Sequence, residues 1–457
     1  MNVSGRNGRY GPRVLAGLAG VLMVLAVASA EGPEKKPYSG GYRGPERTGI
    51  YPAEGLLKKW PKEGPKLLWT WDKLTVSWSS VTVWDGNAYC LGGQQPGRLY
   101  CLRVSDGKLL FAEPYGPDRR EGRFPGSRST VEIHDGRAYF ASGDGVIHCV
   151  NAANGKPVWS VDTVKKFGNR VPGHGYNNTP LIYKDRLICP IRRGKHTHVA
   201  LDLKTGKTVW ASEPSTLAIG DSSPVLVNHG KRPLVVDSLW HALVAIDPDN
   251  GRIVWRHKEG RMGTMMTPVV HEDQFFADMG GHRAALFERT DDPNQPFRKV
   301  WRIDHGLDDI SQALILDEKV FYLYRASREV ERTEVKKGKE RKRTVRHRYM
   351  SMAARDLKTG KLLQSGEVPA SGSLSAAGGM IYLVTGGEKN WKGSGGIVAE
   401  ISLIRPTETG FEIVSEFRPV RAKKEVWINA AVADGRLFFR QGRRISCYDL
   451  RPESYRD

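Results

Sequence analysis

The chain repeats one pattern of apolar and polar positions along most of its length. Each copy has a short apolar run, an acidic or glycine-containing turn, a second apolar run, a loop, a third run, a turn of the Asn-Gly-Lys or Thr-Gly-Lys type and a last run that ends in tryptophan. The copy at 129–159 returns at 178–210 and at 222–255. Four apolar runs joined by such turns predict a four-stranded antiparallel meander.

The first turn of the repeat recurs at intervals of about 45 to 60 residues, a spacing typical of four-stranded propeller blades. The turn dipeptides are Asp85-Gly86, Asp135-Gly136, Lys184-Asp185, His229-Gly230, Glu272-Asp273, Asp317-Glu318, Gly378-Gly379 and Asp434-Gly435. We therefore predict an all-β fold, an eight-bladed β-propeller of four-stranded antiparallel blades.

Alignment on these turns produces consistent columns just before each turn. One column is polar in every copy: Ser80, Thr130, Thr179, Ser223, Thr267, Gln312, Ser373 and Asn429. The next column is apolar or small, and the column two places further on is apolar again. This alternation predicts that the first strand of each blade is buried on one face.

The last copy lacks its fourth run. It passes through Ile445, Cys447 and Tyr448 without a closing tryptophan strand, whereas the run Leu67–Trp71 stands before the first full copy. We expect Leu67–Trp71 to be the outermost strand of the eighth blade, so that strands from the two ends of the chain close the ring. Closure of this kind protects the edges of the blades.

The N-terminus has the three-part pattern of a secretory signal. Arg6, Arg9 and Arg13 precede an apolar run from Val14 to Val27, and a small-residue site ends at Ala30. The run is too short to span a bilayer. We predict a signal peptide at 1–30, an N-terminal lead-in at 31–65 and a propeller at 66–457, in a protein exported to the periplasm or beyond the cell, with no transmembrane segment in the mature chain.

The chain is strongly basic, with a formal net charge of +20 and a sequence pI near 9.7. In an exported protein this charge favours an envelope protein or an acidic polymer as partner rather than nucleic acid, and a solvated basic surface is the alternative. The segment Arg328–Arg348 concentrates the charge, with ten Lys and Arg against four Glu. We expect it to form a projecting, mobile hairpin or loop inserted in the sixth blade.

The five cysteines have no metal-site spacing. Cys101, Cys149 and Cys447 occupy the same third-strand position, where a small buried residue suits the layer between blades. Cys90 and Cys101 stand symmetrically about the turn at 92–97, which leaves a disulfide between them open.

The segments Ala200–Trp210, Ala245–Trp255 and, more loosely, Val150–Trp159 resemble the tryptophan-docking repeat of the quinoprotein-type β-propellers. The chain also resembles, at the level of repeats, the outer membrane assembly factor (BamB-like) group. The resemblance implies that the repeat tryptophans pack toward the glycine turn of a neighbouring blade and that two phenylalanines replace them elsewhere. These residues are Trp159, Trp210, Trp255 and Trp301, with Phe111 and Phe417 as the replacements.

The same family contains dehydrogenases that bind pyrroloquinoline quinone and calcium in the axial funnel, and proteins that bind neither. This chain has no adjacent cysteine pair and no Cys-x-x-Cys-His haem sequence. We therefore expect no cofactor and prefer a non-catalytic binding or scaffold module. The alternative is a quinone- and calcium-dependent dehydrogenase of alcohols or sugars.

A ligand of either kind would bind at the mouth of the central channel, where the loops before the first strands converge. We expect the binding residues in those loops to be Trp78, Arg128, His174, Asn178, Asp221, Trp427 and Asn429. Asp308 and Asp309 offer a carboxylate pair there. The alternative for each residue is a structural lining role, because small polar side chains often cap backbone at strand starts.

Overall fold

The computed structural model describes residues 40–93, 95–118, 126–192, 194–214, 220–228, 232–240, 242–258, 265–304, 306–308, 311–336, 339–387, 397–420 and 429–455. These residues form eight sheets, one short α-helix, α1 at Thr163–Phe167, and a 3₁₀ turn at Pro452–Tyr455. The predicted eight-bladed propeller of four-stranded antiparallel blades is confirmed. The predicted signal peptide at 1–30 and the candidate residues Asp309 and Trp427 lie outside the described residues.

The strands of each blade follow one another from the axis outward. Blades 1 to 4 are β3 (Thr82–Trp84), β4 (Asn87–Gly92), β5 (Gly97–Arg103) and β6 (Leu109–Gly116); β7 (Glu132–His134), β8 (Arg137–Ala141), β9 (Val146–Asn151) and β10 (Pro157–Asp162); β11 (Leu181–Tyr183), β12 (Arg186–Pro190), β13 (His198–Asp202) and β14 (Thr208–Ala211); β15 (Val225–Val227), β16 (Leu234–Leu239), β17 (Ala242–Ile246) and β18 (Ile253–His257).

The other four blades include two strands from the N-terminal region. They are β19 (Val269–His271), β20 (Gln274–Gly280), β21 (Arg283–Arg289) and β22 (Phe297–Ile303); β23 (Leu314–Leu316), β24 (Lys319–Lys336), β25 (Lys339–Asp356) and β26 (Leu362–Val368); β27 (Gly372–Ala377), β28 (Met380–Gly387), β29 (Ile397–Thr407) and β30 (Gly410–Phe417), with β1 (Ile50–Tyr51) beside β27; β31 (Ala431–Ala433), β32 (Arg436–Gln441), β33 (Arg444–Asp449) and β2 (Leu67–Trp71).

The first two strands of a blade are joined by the two-residue turns that the sequence predicts. Seven of the eight turns are described, and His229-Gly230 lies outside the described residues. In the first blade Asp85 and Gly86 have φ of 50° and 72°. Positive φ at both central residues is the geometry that matches the twist of a hairpin and that favours Asp-Gly.

The polar column forms a series of hydrogen bonds that links the second blade to the sixth around the axis. The backbone N–H of Thr130 donates to Thr179 Oγ1 at 3.0 Å, that of Thr179 to Ser223 Oγ at 2.9 Å, that of Ser223 to Thr267 Oγ1 at 3.0 Å and that of Thr267 to Gln312 Oε1 at 3.1 Å. These side chains therefore satisfy backbone donors that no sheet partner reaches.

Burial of the innermost strands follows the predicted alternation in some blades and exceeds it in others. In the second blade Val131, Glu132 and Ile133 are all buried, although they alternate between the two faces of the strand. In blades 3 and 4 the predicted alternation is kept, because the outer residues of β11 and β15 are buried whereas the central residues Ile182 and Leu226 are partly exposed.

Ring closure by the N-terminal strand is confirmed. β2 pairs antiparallel with β33, and Trp69 lies opposite Cys447. The backbone N–H of Asp449 donates to the carbonyl of Lys66 at 2.8 Å, which extends the pairing by one residue. The eighth sheet thus joins strands from the two ends of the described chain.

Tryptophans of the outer strands dock on glycine turns of the next blade, as predicted for Trp159, Trp210 and Trp301. A Cβ atom placed on Gly206, Gly251 or Gly360 would lie 2.4–2.8 Å from the docked ring, so only glycine fits. The indole N–H groups donate to backbone carbonyls of the same turns at 2.7–3.0 Å. Trp69 makes the same contact between the eighth and first blades, at Gly107 and the carbonyl of Val104.

Trp255 departs from this pattern, whereas Phe111 and Phe417 dock on glycines. Trp255 packs against Phe275, Phe287 and Phe297 instead of a glycine, with ring centroids 5.3–6.4 Å apart. Phe111 docks on Gly155, as predicted. Phe417 packs on the glycine turn of the lead-in at Gly64, where a Cβ atom would lie 2.6 Å from it, and edge-on against Trp60, 5.2 Å away, and Tyr448, 5.1 Å away.

We predict that Trp210→Ala destabilises the protein by about 3 kcal/mol, because it removes a large buried ring and the docking hydrogen bond. Val209→Ala is the matched control, since Val209 in the same strand is 46% exposed. Urea unfolding of both variants measures the difference. A loss for Trp210→Ala no larger than that of the control would show that the ring does not hold the two blades together.

All five cysteines are buried free thiols. Cys90 lies opposite Tyr100 and Cys101 opposite Tyr89 in the β4–β5 ladder. The side chains of Cys90 and Cys101 therefore occupy opposite faces of the hairpin, and the structure does not form the disulfide that the sequence left open. Cys101, Cys149 and Cys447 occupy buried third-strand positions, as expected.

Candidate binding site

The lead-in residues 40–51 run along the axis of the propeller. Their hydrogen-bond partners belong to six blades and are Glu132, Thr179, Pro180, Pro224, Thr267, Ala313 and Ala376. Only a segment at the centre of the ring reaches so many blades. The segment ends in β1, which pairs parallel with the innermost strand β27.

Arg47 is the central contact of this segment. Its guanidinium donates to the carbonyls of Pro224 at 2.9 Å and Thr179 at 3.2 Å, and also to that of Pro180. It pairs with Glu132 Oε1 at 2.8 Å, and the two side chains are only 5% and 9% exposed. The backbone N–H of Tyr42 donates to the same carboxylate at 3.0 Å.

Two titratable groups at the axis are shifted by their burial. Burial raises the pKa of Glu132, and the charge of Arg47 and the hydrogen bond from Tyr42 offset only part of this rise. Burial lowers the pKa of Arg43, whose guanidinium donates to the carbonyl of Ala313 at 2.6 Å. A buried ion pair is costly to break from one side, so these contacts fix the segment in the channel.

A second group of polar side chains lies at the end of the propeller where the first strands begin. We call this end the top face; it carries the loops before the first strands and those between second and third strands. Arg128, His174, Arg192, Asp221 and Trp240 form the His174 cluster on this face. His174 Nε2 lies 3.2 Å from Asp221 Oδ1, and Arg192 donates to the same oxygen. Trp240 lies 5.7 Å from the Arg192 guanidinium.

The His174 cluster has a buried anion and an exposed rim. Asp221 is 4% and Arg192 8% exposed, whereas His174 is 35% exposed. Burial on its own would raise the pKa of Asp221, but the hydrogen bond from His174 and the charge of Arg192 outweigh it and hold the pKa below its ordinary value. Trp240 is 37% exposed. The cluster therefore exposes an imidazole and an indole ring that are held in place by the buried ion pair of Arg192 and Asp221.

Sequence reasoning placed three of these residues together. The carbonyl of His174 accepts a hydrogen bond from Arg128, and Asp221 binds the ring of His174. Asn178 lies next to them but is 2% exposed, and its amide donates to the carbonyls of Ser222 and Gly220.

The remaining described candidates make other contacts. Trp78 belongs to the first blade, where its backbone N–H donates to the carbonyl of Ser127 at 2.9 Å. Asn429 belongs to the polar column of the eighth blade and is 7% exposed. Asp308 is fully buried and accepts hydrogen bonds from Arg325 and Ser311.

Four residues at these two places were not predicted from the sequence: Arg47, Glu132, Arg192 and Trp240. A signal for Glu132 was present, because the other residues in its column are Thr82, Leu181, Val225, Val269, Leu314, Ser375 and Ala431, none of which is charged. Arg47 lies outside the repeats, so alignment of the copies could not reveal it. Arg192 and Trp240 lie in loops between second and third strands, which the analysis of first-strand loops did not cover.

The described residues do not fit a quinone and calcium at the axis. The quinoprotein dehydrogenases hold a cation with carboxylate and amide oxygens, and within the described ranges no three His, Cys, Asp or Glu side chains cluster closely enough to hold a metal ion. Glu132, the carboxylate at the axis, is bound to Arg47 and to backbone of the lead-in. Residues 40–51 themselves lie where a funnel ligand would bind.

Comparison with known proteins finds similarity to proteins with the same type of repeat. Residues 118–344 match the family model described as outer membrane protein assembly factor BamB. BamB of Alkalilimnicola ehrlichii is 28% identical over 225 residues, 48% of this chain and 53% of that protein. The 1-butanol dehydrogenase (quinone) of Thauera butanivorans is 28% identical over 255 residues, 49% of this chain and 38% of that protein. The matches thus span about half, or less, of these relatives.

Solved structures share the fold at low identity. BamB from Moraxella catarrhalis superposes with a TM-score of 0.54 at 14% identity, over 84% of this chain and 98% of that one. Quinohemoprotein alcohol dehydrogenase from Comamonas testosteroni superposes with a TM-score of 0.59 at 12% identity, over 91% and 81%. Similarity at this identity shows the architecture, which binding proteins and enzymes share.

Proposed function

We propose that this chain, a member of the quinoprotein-type β-propeller repeat family, is an exported, non-catalytic module that binds an envelope protein through its top face. The signal-like pattern at 1–30 supports export. Among the described residues no helix is long and apolar enough to cross a bilayer.

The observation that carries the proposal is the position of the lead-in. Residues 40–51 occupy the axis, and Arg47 is bound there by one carboxylate and three carbonyls. A dehydrogenase of this family needs that volume for its cofactor and for substrate access. A propeller whose axis holds its own chain offers its faces and loops, rather than a funnel, for binding.

The top face supplies residue types suited to a protein partner. Trp240 and His174 are partly exposed, and both lie on the buried ion pair of Arg192 and Asp221. Aromatic side chains held rigidly beside arginine are typical centres of protein interfaces. One relative is named for outer membrane protein assembly, which supports an envelope protein as the partner class.

Site-specific photocrosslinking in the producing cells tests this proposal. A photoreactive residue at Trp240 should capture one defined envelope protein, whereas the same residue at Lys204, an exposed turn position on the opposite face, should not. The captured protein should bind the purified chain, and Trp240→Ala should weaken that binding more than tenfold, an effect in the range of interface hot spots.

A cofactor-binding assay tests the alternative function, a quinone-dependent dehydrogenase. The purified protein is incubated with pyrroloquinoline quinone and calcium, passed through a desalting column and assayed for dye-linked oxidation of a primary alcohol. We expect neither retained chromophore nor activity. Stoichiometric retention with alcohol oxidation would overturn the proposal in favour of a quinone-dependent dehydrogenase.

A further inference from the structure

The sixth blade carries a two-stranded ribbon that extends beyond the top face. β24 and β25 pair along their whole length, from Lys319 opposite Asp356 to Lys336 opposite Lys339. The inner neighbour β23 pairs only with Lys319–Phe321 of β24, and the outer neighbour β26 pairs with β25 only from Met350 onward. Ten residues beyond Ala326 at about 3.3 Å each make a ribbon of roughly 33 Å, so the projecting hairpin expected from the sequence is confirmed.

Charge is divided unequally between the two faces of this ribbon. Strand alternation and register place the cross-strand pairs Arg328 with His347, Val330 with Val345, and Arg332 with Arg343 on one face. We call it the Arg332 face. The opposite face carries Lys342, Arg346 and Arg348 with Glu329, Glu331 and Glu340, and Lys342 and Glu331 form an ion pair at 3.6 Å. Carboxylates thus balance the cations on the opposite face, whereas cations are in excess on the Arg332 face.

Arg332 and Arg343 lie directly opposite each other and are both exposed. Like charges at directly opposed positions destabilise a strand pair, and the next pair on the same face is Glu334 opposite Arg341. An anion supplied from outside would relieve this repulsion. Guanidinium groups suit phosphate well, because their planar fork can donate two parallel hydrogen bonds.

Apolar and aromatic side chains lie between the cations on the same face. Val330 and Val345 are half-buried opposite each other. Tyr349 lies 4.9 Å from the Arg328 guanidinium and is stacked on His347 at 6.2 Å. A face that alternates cations with valine and tyrosine suits the boundary of a bilayer, where phosphate and acyl chain lie at adjacent depths. An anionic polysaccharide would engage the cations but bring little apolar surface to the valines.

We infer that the Arg332 face binds the surface of an anionic lipid bilayer, with lipid phosphates at Arg332 and Arg343 and the Val330–Val345 pair at the upper edge of the acyl region. The ribbon would hold the top face of the propeller close to the membrane.

Sedimentation with lipid vesicles tests this inference on the full chain. The protein should bind phosphatidylcholine vesicles that contain about one third phosphatidylglycerol, and not pure phosphatidylcholine, with affinity that falls steeply from low to physiological salt. Arg332→Gln with Arg343→Gln should weaken binding about 30-fold, since each cation near such a surface contributes about 1 kcal/mol.

The matched control removes the same charge from the other face. Lys342→Gln with Arg346→Gln should change vesicle affinity less than threefold, and both double variants should melt like the parent because the four side chains are exposed. Val330→Ser with Val345→Ser should weaken vesicle binding without changing affinity for heparin. Inorganic phosphate alone should not compete with vesicles.

Three outcomes would overturn the inference. One is no binding to the anionic vesicles. The second is an equal loss in both charge variants, which would mean that only net charge matters. The third is heparin or duplex DNA binding that depends on Arg332 and Arg343 while vesicle binding does not, which would assign the face to a soluble polyanion.

Discussion

A chain that lacks Leu67–Trp71 should aggregate or melt at clearly lower temperature than the intact protein. The deletion removes β2, leaves the edge of β33 unpaired and abolishes the Trp69 contact with Gly107 that joins the eighth blade to the first. Loss of a buried tryptophan costs about 3–5 kcal/mol by itself, and the exposed edge adds a template for association. Calorimetry and light scattering on the two proteins measure the effect.

A point variant separates loss of the clamp from loss of the strand. Trp69→Ala should show a smaller fall in melting temperature than the deletion, and Thr70→Ala, at an exposed position of the same strand, should show almost none. Equal melting of the deleted and intact chains would mean that the ring does not depend on β2.

Arg47→Met should cost about 3–5 kcal/mol at neutral pH, because it leaves the Glu132 carboxylate buried without its counter-ion. Adding Glu132→Gln to Arg47→Met should recover part of this loss, since the double variant has no unpaired charge at the axis. Urea unfolding of the two single variants and the double variant measures the coupling between the residues.

The pH dependence of Arg47→Met has a definite sign. Burial already places the pKa of Glu132 above its ordinary value, so the folded state binds that proton more strongly than the unfolded state, and stability falls as the pH rises between the two values. Without Arg47 the folded pKa rises further. Arg47→Met should therefore lose less stability near about pH 4.5, close to the ordinary glutamate range, than at neutral pH, and an equal loss at both would contradict the ion pair.

The blades could be predicted because every copy of the repeat forms the same turns and packs against its neighbours in a similar way. Turns such as Asp85-Gly86 need positive φ at both central residues, and Gly206, Gly251 and Gly360 cannot carry a Cβ beneath a docked tryptophan. These constraints leave the same residue types at the same spacing in successive repeats. The missing strand of the last copy, and hence ring closure, followed from the same regularity.

The contents of the axis could not be predicted in this way. Residues 40–51 belong to no repeat, and their role depends on carbonyls of Pro180, Pro224 and Ala313 that are far apart in sequence. Their local composition gives a partial signal. Gly44 and Gly49 both have φ of 87°, which indicates a tightly turned segment rather than an extended linker.

The candidate site was predicted in part for a related reason. Arg128, His174 and Asp221 precede first strands and were found by position in the repeat, whereas Arg192 and Trp240 come from loops whose length varies between blades. The contacts of Arg192 with Asp221 and with Trp240 depend on the packing of blade 3 against blade 4. A contact between loops of two different blades produces no regular residue spacing, so the sequence pattern could not predict it.

Hydrogen exchange of the lead-in tests the central claim that the axis holds the chain's own N-terminal segment. The N–H of Tyr42 is bonded to Glu132, that of Arg47 to the carbonyl of Gly44 and that of Gly49 to the carbonyl of Arg43. We predict that these amides exchange as slowly as those of the innermost strands. Arg47→Met should accelerate their exchange, while amides in the other strands of the blades stay protected. Exchange of residues 40–51 at the rate of an unstructured peptide, with the innermost strands protected, would contradict the account.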